Sequence, residues 1–392
     1  TLQDNDSSEV TVEIPAAGVV QEWDAITGDV YLADSQKTSS GVKVKTVLYG
    51  YGSRLFVVDP KADASLKKRA GSKESGRRKI KCGTVDIFRD EPNAFPLDVP
   101  EYSLNGGEWR KAKDILKVDD AIRDFVKWPH RGGAMCQPWA QKETSESKKV
   151  DVGLRYTFDV EDIPAGPCHL VMERPEKFTV VLNGCELKHE EGEGWWIDNS
   201  FKRILASARI LKKGRNELVL MTRYGQKDNL EVMYFTGEFG FKWVDGTKPV
   251  ITKLPATLKT GDWCEQGFPC YSGAITYSMD IDINSDSGKK VVLEVPEWKG
   301  ALVKVHVNGR KAGNIAWKPY EIDITSFAVK GGNKIEIEVV GTRRNLLGPL
   351  HLNVKYPNWT GPWQFKQQED WTDEYVRFPY GLMGEPVVSV RD

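Results

Sequence analysis

The chain has 392 residues, 40% of them hydrophobic and 28% charged, and 55 Lys and Arg against 56 Asp and Glu leave a formal net charge of −1. That length accommodates two or three domains with separate cores. No apolar run is long enough to span a bilayer, and a nearly neutral chain has no overall field to attract nucleic acid.

The opening residues, TLQDNDSSEVTVEI, lack the basic and apolar segments of a signal peptide and run straight into an alternating strand pattern, so the start reads as a cut end. VTVEI, VKVKTVLYG and RLFVVD continue with period two, and residues 1–62 are expected to form part of a β-sandwich. KADASLKKRAGSKESGRRKIKCG follows; it is basic, polar and poor in apolar residues, and 63–98 are assigned to an exposed linker or loop. One stretch has helical spacing: in KAKDILKVDDAIRDFVKW, Ile115, Val118, Ile122, Phe125 and Val126 fall near one face.

Beyond it the strands resume, and they repeat. LRYTFDV (Leu154 to Val160), FTVVLNG (Phe178 to Gly184), WWIDNSF (Trp195 to Phe201) and KKGRNELVLMTRY (Lys212 to Tyr224) recur in the same order. Their counterparts are ITYSMDI (Ile275 to Ile281), VKVHVNG (Val303 to Gly309), WKPYEIDIT (Trp317 to Thr325) and VKGGNKIEIEVVG (Val329 to Gly341). Four matched blocks roughly 120 positions apart imply a duplicated domain. We place the first copy at 99–256 and the second, with a C-terminal extension, at 257–392. The Asn-Gly pairs after alternating apolar residues mark tight hairpins, because both residues accept the positive φ those turns need. The predicted fold is therefore mainly β: tandem antiparallel sandwiches preceded by a partial one.

The six cysteines, Cys82, Cys136, Cys168, Cys185, Cys264 and Cys270, include no C-x-x-C pair, and no His stands at zinc-finger spacing. Cys264 and Cys270 flank EQGFP at a separation open to a disulfide or to two free thiols. None of His130, His169, His189, His306 and His351 sits in a hydrolase or metalloprotease motif, and there is no P-loop or dinucleotide fingerprint. Glycoside hydrolysis needs two carboxyl groups facing across a bond. Asp198, Glu231, Glu238 and Glu265 are the local candidates, each better read as a surface carboxylate, so no catalytic residues are assigned.

YSGAITYSMDI, VHVNGRKAG, WKPYEIDITSFAVKGGNKIEIEVVGT and RRNLLGPLH resemble the galactose-binding-like jelly-roll of glycoside hydrolase family 2 and its relatives. Asn308 and Gly309 fall on its Val-Asn-Gly turn, Pro319 and Tyr320 on its Pro-Tyr, Asp323 to Thr325 on its Asp-Ile-Thr, and Asn333 on the Asn of its Gly-x-Asn turn. VVQEWDAITGDVYLAD and VLYGYGSRLFVVD are similar to sandwich strands of large bacterial enzymes of the glycoside hydrolase family 106, α-L-rhamnosidase type. Trp23, Asp24, Thr27 and Gly28 match a Trp-Asp-x-x-Thr-Gly there, and Tyr51 to Ser53 lie near its Gly-Ser element.

The resemblance implies a C-terminal region whose partner is a catalytic barrel N-terminal to it in the same protein, a secreted or periplasmic location, and a carbohydrate ligand. A structural Ca²⁺ is also implied as an option, with no ligand spacing to read, and no other cofactor. Sugar binding calls for aromatic faces beside hydrogen-bonding side chains. With 13 Trp in the chain, the candidates are Trp195, Trp196 and Asp198, then Trp263, Gln266 and Tyr271, then Trp359 and Trp363. Each Trp alone is more often packing than ligand-binding; the Trp195-Trp196 pair is the best exception, since strand neighbours point to opposite faces.

Overall fold

The computed structural model describes residues 7–61, 65–68, 74–131, 148–190, 192–284, 288–354, 361–366 and 369–391. They form antiparallel sheets almost throughout, as the period-two pattern predicts. Residues 7–61 make two three-stranded sheets. Ser7–Ile14, Gly41–Tyr49 and Ser35–Thr38 form one; Val30–Leu32, Val19–Trp23 and Leu55–Asp59 form the other. They close on a small core of Val20, Ala33, Val42 and Val44. The Trp-Asp-x-x-Thr-Gly motif is a turn here: the Asp24 carboxylate accepts from the Ile26 and Thr27 amides, and Gly28 takes a φ of 78°.

Two larger sandwiches follow. In the first, the strands Thr179–Leu182, Gly214–Gly225 and Lys149–Val160 lie side by side, and Glu101–Leu104 also pairs with Lys149–Val160. The facing sheet runs Trp195–Trp196, Asp198–Ala206, Cys168–Glu173, Met233–Gly237, Asn93–Leu97. In the second, Leu302–Val307, Gly331–Val340, Ala274–Ile283 and Thr84–Arg89 reproduce that order. The facing sheet runs Glu321–Asp323, Lys290–Glu294, Val387–Arg391, Glu74–Lys79.

This pairing corrects the expected linker. Glu74–Lys79 and Thr84–Arg89 are strands of the second sandwich, paired with Val387–Arg391 and Ala274–Ile283, while Asn93–Leu97 belongs to the first. The first sandwich, 93–252, is thus inserted in sequence between two early strands of the second and the rest of it. The misreading has a physical cause. Glu74–Lys79 lies at a sheet edge, where polar and charged residues are favoured because they discourage pairing with another chain. In Thr84–Arg89, by contrast, Val85 and Ile87 pack on the second core.

The duplication extends to individual hydrogen bonds. In the first copy the Asn183 amide nitrogen donates to Asn216 Oδ1 at 2.8 Å and to the Ile210 carbonyl at 2.9 Å; Asn216 Nδ2 donates to the Lys212 and Gly214 carbonyls. In the second, Asn308 donates to Asn333 Oδ1 at 2.9 Å and to the Phe327 carbonyl at 3.0 Å, and Asn333 to the Val329 and Gly331 carbonyls. Asn183 and Asn308 take φ of 51° and 52°, followed by Gly184 and Gly309 at 85° and 74°, the two consecutive positive values of a primed hairpin turn. Asn216 and Asn333 are buried, and each closes a chain reversal that brings the last long strand back into its sheet.

The helix is Ile115–Val126, with Asp114 as its N-cap, accepting from the Leu116 and Lys117 amides. Ile115, Val118 and Ile122 face the first core as expected, but Phe125 is exposed and Asp119 and Arg123 are buried instead. Arg123 Nε bonds Asp119 at 2.9 Å, and its other nitrogens reach the Gln226 and Asp228 carbonyls, while the Tyr224 hydroxyl donates to Asp119. The first core also holds Phe95 in ring contact with Phe158, Phe235, Phe239 and Phe241, at centroid distances of 5.6, 5.6, 5.9 and 5.5 Å. Cys270 and Leu346 of the second module pack into that same core, so the two sandwiches meet on a shared apolar contact.

Replacing one member of a buried ion pair leaves the other charge uncompensated, at about 3–5 kcal/mol. Arg123→Ala is therefore expected to lower the unfolding free energy of the first module by that order, read as a lower urea midpoint. Because its strands are contiguous, a fragment 93–252 should fold alone, whereas 257–391, deprived of Glu74–Lys79 and Thr84–Arg89, should not. Circular dichroism melts and amide dispersion by NMR distinguish the two cases.

Candidate functional site

The early entry of Asn93–Leu97 into the first sandwich, and the late excursion of the second module between Gly331–Val340 and Val387–Arg391, meet at one seam. There the Trp243 and Tyr375 rings stack at 3.8 Å with 12° between planes, and Asn93 Nδ2 bonds the Phe239 and Gly267 carbonyls, at 2.9 Å each. Beside this contact lies a cleft of about 850 Å³. Its walls include Glu101, Lys111, Lys113, Arg155 and Arg215 from the first module and Trp371 and Asp373 from the second.

At its base Asp98, Asp114 and His351 come together, all three buried, with one donor atom of each within 4.8 Å of the others. Asp98 follows the strand Asn93–Leu97, Asp114 caps the helix, and His351 comes from the second module. Tyr375 Oη donates to Asp98 Oδ1 at 2.5 Å, and His351 Nε2 lies 3.3 Å from Asp98 Oδ2. His351 Nδ1 is 3.0 Å from the Thr372 carbonyl, and the imidazole stacks on Trp371 at 4.8 Å between centroids. The Lys117 ammonium sits 3.0 Å from the centre of the Trp371 ring. Such a set can exchange protons, hydrogen-bond a polar ligand, or supply two oxygens and a nitrogen to a metal ion.

Burial, followed by the neighbouring Asp98 charge, pushes the Asp114 carboxyl up to about 7, against the opposing pull of His351 and the two capping amides. Burial pulls the His351 imidazole down. The hydrogen bond and charge of Asp98, the Asp114 charge and the Thr372 carbonyl outweigh it and hold His351 above its ordinary range. Tyr156 also lines the cleft; burial, then the Asp98 and Asp114 charges, raise its phenol, and its hydroxyl has no hydrogen-bond partner among the described residues.

The residues singled out for sugar binding are placed elsewhere. Trp195 is 52% exposed and Trp196 only 5%, the alternation expected of strand neighbours, so Trp195 alone offers a face. Trp196 is packed edge-on against Tyr234 in the first core. Asp198 is exposed and bonds Ser200. Trp263 and Tyr271 are core residues of the second module, packed edge-on against each other, and neither has a ring face open to a ligand. Gln266 is occupied with the Lys259 backbone and the Asp262 carbonyl. Trp359 lies outside the described residues, and so does the side chain of Trp363.

The carboxylates considered earlier have local partners. Glu231 meets Arg131 and Asn229, Glu238 meets Arg89, and Glu265 meets Arg377. Cys264 and Cys270 are separate buried thiols, both pushed up by burial; Cys136 lies outside the described residues. Sequence reading missed Asp98, Asp114, Tyr156, Trp371 and Tyr375 as a group and set His351 aside. Asp114 alone carried a local signal, as an N-cap ahead of an apolar period.

No family model matches the chain, and no curated protein does. Among solved structures, it is similar to a rhamnosidase from Novosphingobium sp. PP1Y at 17% identity and a TM-score of 0.26, over 69% of this chain and 26% of that one. A β-D-mannosidase from Dictyoglomus thermophilum aligns at 11% identity and a TM-score of 0.26, over 68% of this chain and 32% of that one. An α-L-rhamnosidase from Streptomyces avermitilis, in complex with L-rhamnose, aligns at 15% and 0.23, over 49% and 23%. The chain thus spans a third or less of the length of these glycosidases. Likeness at such scores decides neither fold nor activity. Among the described residues no helix is long and apolar enough to cross a membrane.

The Asp114 shift carries a pH dependence. A carboxyl that titrates higher in the folded chain than in the unfolded one binds more protons when folded between about pH 4 and 7, so its contribution falls as pH rises through that window. Asp114→Asn keeps an oxygen for the cap and removes the charge. With a chelator present it should raise stability above pH 7 by an amount on the order of a few kcal/mol and flatten the slope between pH 4 and 7, read by urea unfolding across pH.

Proposed function

We propose that the chain is a non-catalytic accessory region of a protein that processes glycans, and that the cleft between its two sandwiches seats a carbohydrate. The observation that carries this reading is the lining of the cleft. Arg155, Arg215, Lys111, Glu101 and Asp373 supply donors and acceptors of both signs around Trp371, in a volume suited to a short oligosaccharide. The resemblance of the second module to a galactose-binding-like jelly-roll supports it. A glycoside hydrolase parent of rhamnosidase-like type, with its catalytic barrel elsewhere in the protein and a secreted or periplasmic location, belongs to the same reading. Trp195, 52% exposed, offers another ring face to a sugar on the first module.

One observation favours an alternative, a small glycosidase working from the seam. Asp98 and Asp114 bring donor atoms within 4.8 Å, near the ~5–5.5 Å carboxyl separation of retaining enzymes. Two features weigh against it. Asp98 is engaged on both oxygens, by Tyr375 and His351, and cannot attack without breaking the seam, and Asp114 is committed through Oδ1 to capping the helix.

The two readings separate in one pair of measurements. Calorimetric titration with rhamnose-containing pectic oligosaccharides should give saturable heat, weakened about tenfold or more by Arg155→Ala combined with Arg215→Ala. A panel of p-nitrophenyl glycosides, α-L-rhamnoside included, should show no release. Release that disappears in Asp98→Asn would install the glycosidase instead, and absence of both heat and release would remove the carbohydrate reading.

A further inference from the structure

Three side chains at the base of the cleft have donor capacity that the fold does not use up. His351 Nδ1 lies against the Thr372 carbonyl, which only accepts, so this nitrogen carries a proton. Nε2 faces the Asp98 carboxylate 3.3 Å away, donating a proton to it when the ring is charged and presenting a lone pair to it when the ring is neutral. A metal cation bound between them takes the place of that proton, and an imidazole whose other nitrogen donates to a backbone carbonyl is the arrangement that orients a histidine on a metal. Asp114 uses Oδ1 for both capping amides, and Oδ2 has no hydrogen-bond partner among the described residues. The Tyr156 hydroxyl, on a residue only 3% exposed, is likewise unpartnered and lines the same cleft.

We propose that Asp98, Asp114 and His351 hold one divalent transition-metal cation, Zn²⁺ by preference, at the base of the cleft, with the Tyr156 hydroxyl turned toward the coordination positions left open. Donor atoms bound at about 2 Å to one tetrahedral zinc ion stand about 3.3 Å from one another, the separation His351 Nε2 and Asp98 Oδ2 already have at 3.3 Å. The 4.8 Å spread of the three donors therefore closes with small side-chain adjustment. Two carboxylates and an imidazole suit zinc or manganese, whereas calcium sites are built from oxygen alone. The nearby Lys117 ammonium is held over the Trp371 ring. The site joins the modules, since two ligands come from the first sandwich and one from the second. It does not depend on whether the cleft takes a glycan.

The test uses the full chain and the metals alone. Protein stripped with EDTA is titrated by calorimetry with Zn²⁺, Mn²⁺ and Ca²⁺, and with Co²⁺ as a spectroscopic probe. One equivalent of Zn²⁺ should bind at least about 100-fold more tightly than Ca²⁺, and Co²⁺ should develop visible d–d absorption. Asp114→Asn and His351→Gln should each cost about tenfold or more in affinity, with His189→Gln unchanged as a control. Asp114→Asn retains the helix cap, so it decides the matter if the histidine variant fails to fold. Absence of saturable Zn²⁺ binding, Ca²⁺ bound as tightly as Zn²⁺, or wild-type affinity in folded Asp114→Asn would each overturn the proposal.

Discussion

The pairing of Thr84–Arg89 with Ala274–Ile283, across an entire inserted sandwich, is the constraint on which the rest of this structure depends. It obliges the first module to leave and re-enter the second at neighbouring points, on strands Thr84–Arg89 and Thr257–Lys259 that pair with each other. The inserted module is therefore tethered at both ends rather than one. Closing so long a loop costs only logarithmically more than a short one, so the arrangement is thermodynamically tolerable. It does make the second module rich in non-local contacts, and order of folding follows: the contiguous sandwich can form first and hold the two ends together.

Within each module the buried asparagine pairs do comparable work at short range. Asn216 and Asn333 satisfy carbonyls of the reversal that precedes the last long strand, and Asn183 and Asn308 tie the hairpin turn to it. A side-chain amide in an apolar layer is tolerated only when its donors and acceptors are matched, so the same atoms recur in both copies. The two sandwiches differ in what is attached to them. The first carries the helix Ile115–Val126, whose buried Asp119–Arg123 pair is anchored to Tyr224; the second carries the long excursion that brings Leu346, His351, Trp371 and Tyr375 onto its neighbour.

The cleft is a product of that double attachment. The helix supplies Asp114 at its N-terminus and the excursion supplies His351, while Asp98 stands where the chain leaves the strand Asn93–Leu97. Placing two carboxylates and an imidazole in one buried spot is costly unless each finds a partner. Here the helix amides, Tyr375 and the Thr372 carbonyl provide some of the partners, and the remainder of the donor set faces the cleft. The aromatic residues around it, Trp243 on Tyr375 and His351 on Trp371, fix the seam, and the charged walls above remain available to a ligand.

Much of the architecture was legible in the amino-acid order because it is local. Period-two alternation, Asn-Gly turns and the four repeated blocks depend on neighbours a few residues apart, and each appears in the structure where it was expected. Trp195 and Trp196 likewise divide between solvent and core as adjacent strand residues must. Two things were decided only by tertiary structure. Glu74–Lys79 is a strand because a distant edge, Val387–Arg391, was there to pair with it, and nothing in ESGRRK signals that. Asp98, Asp114 and His351 form a site because the inserted module brings positions from opposite ends of the chain to one seam, and no spacing in a linear sequence encodes such a meeting.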